Sequence, residues 1–127
     1  MTDPTFTSTE TAPDQLLAGE FPRVTRTVTI KESAALERGA VLGRITDEGA
    51  DEGKYLLSAA AATDGSEDPY AVLVRDVDAS GGDVEAAVYL AGEFNEDVLS
   101  FGAGHDADSV REALRALSIF LATTVDR

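Results

Sequence analysis

The sequence predicts a small, mainly β domain of bent hairpins, with one short C-terminal helix and a flexible N-terminal arm. Three observations carry this reading. Tyr70 to Val74 is an unbroken apolar run, as expected of a strand buried on both faces. Val84, Ala86, Val88 and Leu90 then alternate with Asp83, Glu85, Ala87 and Tyr89, the pattern of a strand with one face in a core. Helical spacing occurs once, at Val110, Ala113, Leu114 and Leu117.

The two strands form the hairpin on which the rest is organised, joined through Asp78 to Asp83, where Gly81 and Gly82 permit a tight turn. Gly92 breaks the alternation, so Glu93, Phe94 and Asn95 are expected to leave the sheet. Before this hairpin, Arg23 to Ile30 reads as a strand. Thr25, Thr27 and Thr29 share one face; Val24, Val28 and Ile30 share the other, which Arg26 interrupts. Lys31 to Leu36 reads as irregular or a single turn.

Ala40 to Leu57 reads as a second hairpin, with Gly39 at its entry and Gly43 placed for a bulge or a close backbone approach. Its loop, Asp47 to Gly53, is acidic. Ser58 to Asp68 ends in turn chemistry and reads as a surface connection. Asp97 to Phe101 is expected to be a short strand. Ser109 and Glu112 fit a capping box opening a helix over Val110 to Leu117. Ser118 ends that helix, and Ile119 to Ala122 closes the chain as a strand.

At 127 residues, 43% of them hydrophobic, the chain is long enough for one modest core. Residues 15–127 are read as a single β-rich domain and residues 1–14 as the arm. The arm is polar and acidic with Phe6 as its one large apolar side chain after Met1, too little to offset its ordering entropy when free. Thr5-Phe6-Thr7-Ser8-Thr9 has β-propensity without charge, so it suits pairing with a partner's strand edge. Leu16-Leu17-Ala18-Gly19-Glu20-Phe21-Pro22 follows as an apolar clip; Leu17 and Phe21 suit either a core or a partner surface.

Twenty-four acidic residues stand against ten Lys plus Arg, a net charge of −14. That sign opposes phosphate neutralisation, so nucleic acid is not an expected partner. An acidic surface with two lysines, Lys31 and Lys54, suits both a high-salt habitat and an ordinary solvated protein. No apolar run approaches the length of a membrane span, and Met1 to Asp14 lacks the regions of a signal peptide. Without cysteine, disulfides and thiolate metal sites are excluded.

Chemistry is sparse. His105 is the single histidine and is read as a solvated loop side chain in preference to a metal ligand. Ser100, His105 and Asp106 are the right types for a triad but lack a nucleophile elbow. Asp47, Glu48, Asp51 and Glu52 lack the spacing of a calcium loop, and Asp76, Asp78 and Asp83 read as a solvated turn. Gly102-Ala103-Gly104 lacks the spacing of a dinucleotide fingerprint. Neither lysine has the hairpin setting of a biotinyl or lipoyl carrier. No catalytic, cofactor or metal residue is assigned.

The stretch AVLVRDVDASGGDVEAAVYLAGEFNEDVLSFG resembles the lambda-type head decoration proteins of tailed viruses. Leu16 to Pro22 and Leu36 to Gly43 resemble two further segments of that family, and the likeness runs from about Leu16 to Leu121. It implies a β-clip-like fold, a homotrimer, and binding to the major capsid protein on the outer surface of the expanded head. The chain would be made in the host cytoplasm and act on the virion without a cofactor, an enzymatic activity or a membrane. The resemblance further implies an arm that orders against the shell, which points to Thr5, Phe6, Thr7, Ser8, Thr9, Leu16 and Leu17. Phe94, Phe101 and Phe120 are candidates for subunit contacts, although core burial explains each equally well. The alternative is a small cytoplasmic enzyme or ligand-binding protein, which requires a pocket with convergent polar groups.

Overall fold

The computed structural model describes residues 16–17 and 22–122 of the chain. It is mainly β with one helix near the C-terminus, as the sequence predicts. The strands are β1 (Val24–Ile30), β2 (Ala35–Leu36), β3 (Val41–Arg44), β4 (Tyr55–Leu57), β5 (Pro69–Leu73), β6 (Val77–Asp78), β7 (Val84–Asn95) and β8 (Ile119–Ala122), and the helix is α1 (Ala107–Arg115). The main sheet runs β1-β4-β3-β5-β7-β8, and β1 also pairs with β7. The pairings therefore close five strands into a ring, with β8 added on β7.

Alternation along the central strands sends side chains to two cores. Leu42, Ala71, Leu73 and Val88 join Ile30 and Tyr55 in one, while Val41, Val72 and Tyr89 join Phe94, Leu99, Val110, Leu114 and Ile119 in the other. The apolar run of β5 is thus buried on both faces because each face meets a different core. On β7, Val84, Ala86 and Leu90 pack with Val88 as the alternation requires. Tyr89, on the opposite face, is also buried, against Phe94 at a ring separation of 5.1 Å.

Several expectations are corrected. Strand β7 does not end at Gly92. It runs for 12 residues, because β8 offers Glu93, Phe94 and Asn95 a parallel partner in Phe120, Leu121 and Ala122. Gly92 takes φ 151° there, a value side chains rarely adopt. Asp97 to Phe101 is not a strand: the Asn95 side chain accepts the Asp97 N–H at 3.0 Å and starts a 3₁₀ turn over Glu96–Val98. Only Ser100 keeps a bridge, to Ala40.

The helix starts a turn earlier than expected. Asp106, not Ser109, is its N-cap, and Ser109 occupies the third position of a reciprocal capping box. It ends at Arg115, leaving Leu117 outside and 36% exposed. The connection Ser58 to Asp68 is also more than surface, since Ser58 and Ser66 are fully buried. Lys31 to Leu36 contains β2, which pairs with β6.

Candidate functional site

The N-terminal lead-in docks on β7. Leu17 bridges antiparallel to Phe94, and the Asn95 N–H donates to the Leu16 carbonyl at 2.7 Å. Leu16 is 2% exposed and sits in the core beside Phe94 and Val110, while Leu17 packs against that core half-buried. Leu16 is thus spent inside the domain and Leu17 largely so, both held at β7. Thr5, Phe6, Thr7, Ser8 and Thr9 lie outside the described residues, as does Phe21.

The three phenylalanines differ. Phe94 is wholly buried and has no surface to offer a neighbouring subunit. Phe101 and Phe120 keep partial exposure, Phe101 packing against the same core as Phe94. Val24, Val98 and Leu117 are the exposed large hydrophobic side chains among the described residues. None of these was singled out as a contact from sequence; Val24 and Leu117 each continue an apolar pattern past the point where the core ends.

His105, Asp106 and Ser100 take part in hydrogen bonds that tie separate segments together. His105 Nδ1 lies 3.1 Å from Ser109 Oγ and Nε2 lies 2.9 Å from the Glu67 carbonyl. The ring thereby ties the start of α1 to the long connection. The Asp106 carboxylate accepts the Ser109 N–H at 2.9 Å as the helix cap, and the Ser100 N–H donates to the Gly39 carbonyl. His105 and Asp106 thus both turn to Ser109, and Ser100 takes part through its backbone.

The acidic loops divide similarly. Asp51 and Asp83 meet Lys54, whose ammonium holds both carboxyls below the usual carboxylate range. Asp64 and Asp78 are held low by the hydroxyls and N–H groups of Ser66 and Ser80, and Arg111 binds Glu96 at 2.8 Å. No cluster of three or more His, Cys, Asp or Glu that could hold a metal occurs among the described residues. No helix among them is long and apolar enough to cross a membrane.

A family model, bacteriophage lambda head decoration protein D, matches residues 5–120. The chain belongs to this family. The match begins in Thr5 to Thr9, includes the lead-in on β7, and ends within β8. No match is found among curated proteins. Membership supports a structural role in decorating the capsid of a tailed virus.

Proposed function

We propose that this chain binds the outer surface of the expanded head as a homotrimer, touches the major capsid protein there, and stabilises the shell. The family match over residues 5–120 carries the reading, because it takes in the arm segment as well as the folded domain. Residues 1–14 act as the arm and residues 15–127 as one domain. The arm is anchored where Leu16 and Leu17 meet β7. Thr5 to Thr9 add as a strand to an exposed edge of the shell, with Phe6 in a pocket. Phe101 and Phe120 contribute to the subunit contacts.

Cementing follows from multivalency. Three tethered arms bind at high effective concentration, so contacts that are weak singly hold the trimer in place. The acidic surface suits a salt-rich setting, where screening lowers repulsion between subunits carrying −14 each. The test is co-sedimentation with expanded, undecorated heads, followed by heating. Decorated heads should rupture at a higher temperature than bare ones; equal rupture temperatures at full occupancy would remove the stabilising role.

A further inference from the structure

The ring of strands has one thin seam. Strand β1 pairs with β7 over its whole length, but with β4 only where Ile30 meets Tyr55. From Val24 to Thr29 the second edge of β1 has no ladder partner among the described residues. Where β1 and the β3–β4 hairpin separate, a notch of about 400 Å³ opens, lined by Arg26, Thr27, Thr29, Arg44, Tyr55 and Tyr70 among others.

Its groups converge. Arg26 has the parity of Val28 and Ile30, so the face that leads into the core carries a guanidinium at the notch. Arg44 stands 5.8 Å over the ring of Tyr70, whose centroid is 5.9 Å from that of Tyr55. Burial pushes the Tyr55 phenol up, followed by Tyr70, while Arg44 and Arg26, which line the same notch, both act against this. Among the described residues neither arginine forms an ion pair. In a chain with 24 acidic residues, two guanidiniums lining one concavity make a positive patch that complements the rest of the surface.

We propose that this notch receives an extended acidic segment from a second copy of this chain. Its backbone pairs with the free edge of β1, and its carboxylate is held between Arg26 and Arg44. The open edge favours a polypeptide over a free anion, since it offers backbone donors and acceptors in a row. A second copy fits by charge: two chains of −14 repel unless cations on one meet carboxylates on the other. A slot on one subunit and a segment on the next make a heterologous contact, the kind that a three-fold rotation closes into a ring. The inference rests on the homotrimer reading and adds the residues that join its subunits.

Sedimentation of wild type and of the Arg26→Glu/Arg44→Glu variant tests it. Both side chains are exposed, so the variant should keep the wild-type circular dichroism spectrum while its subunits associate at least tenfold more weakly. Because the chain holds no cysteine, a Thr27→Cys variant, which lines the notch and keeps both arginines, can carry a photo-crosslinker at one site in a mixture of ¹⁴N and ¹⁵N copies. Cross-links between copies, to a peptide containing Asp or Glu, are expected. A wild-type trimer that survives the double charge reversal, or cross-links confined within one copy, would overturn the slot and leave the trimer standing. A wild type that is monomeric at all concentrations would overturn the trimer and the slot with it.

Discussion

Lys54 Nζ lies 2.6 Å from Asp83 Oδ2 and 2.9 Å from Asp51 Oδ1, so one ammonium joins the β3–β4 hairpin to the turn that opens β7. Asp83 also accepts the Glu32 N–H at 2.7 Å, just beyond β1. Three segments therefore meet beside the thin seam. Hydrogen bonding to Asp83 and Asp51 raises the Lys54 pKa, and Lys54 lowers those of both carboxyls. A lowered carboxyl stabilises the fold above its unfolded pKa, and that gain is lost as pH falls through the folded value. A raised lysine stabilises below its unfolded pKa, and that gain is lost as pH rises through the folded value. The network thus acts fully between about pH 4 and about pH 10. Replacing Lys54→Met should lower the melting temperature at pH 7 and shrink the difference from wild type at pH 2. A difference that is unchanged at pH 2 would show that packing, not charge, is responsible.

Gly43 marks a close approach of two backbones. A Cβ built there would stand 2.0 Å from the Ser66 carbonyl oxygen, whereas one on Gly81 would meet nothing within 4 Å. The β3–β5 register also shifts at Leu42/Gly43. Gly43→Ala should cost about 1–3 kcal/mol by chemical denaturation, the usual penalty for overpacking. Gly81→Ala should change stability by less than about 0.5 kcal/mol. Equal effects would mean that the connection yields freely.

Helix α1 presents Val110 and Leu114 to the core. Leu114→Ala should destabilise by about 2–5 kcal/mol, while Leu117→Ala, 36% exposed beyond the helix end, should lie much nearer wild type. The reverse order would place the helix on its other face.

Ser118 holds φ 70° after the helix, the left-handed region that suits glycine. Its N–H still donates to the Arg115 carbonyl at 3.0 Å. Ser118→Gly should raise stability by up to about 1 kcal/mol by removing the Cβ penalty. A lower melting temperature would show that the Ser118 side chain contributes more than its backbone conformation costs.

The strands were legible where local pattern and burial agree. The β5 run and the β7 alternation both report sides of strands, and each side found a core. What escaped depended on partners distant in sequence. Nothing near Gly92 announces that Ile119 to Ala122 returns to extend β7 in parallel. Asp106 and Ser109 both suit an N-cap, and Ser109–Glu112 spacing is as regular as Asp106–Ser109. The reciprocal bonds between Asp106 and Ser109 decide between them. Arg26 was visible as an interruption in β1, but its place at a notch with Tyr55 and Arg44 was not. Phe94, Phe101 and Phe120 look alike in sequence; only packing separates the wholly buried Phe94 from the others.

Capsid decoration through the arm is tested most directly by imaging expanded, undecorated heads mixed with the full chain or with a chain lacking residues 2–14. Occupancy is counted at each surface position by electron cryomicroscopy. The full chain should fill the outer surface as three-fold density, with an extended segment from each subunit running along the shell. The truncated chain should keep its fold, since the deletion stops short of Leu16 and its hydrogen bond to Asn95, yet leave most positions empty. Full occupancy by the truncated chain would contradict the arm's role, and empty heads with the full chain would contradict decoration itself.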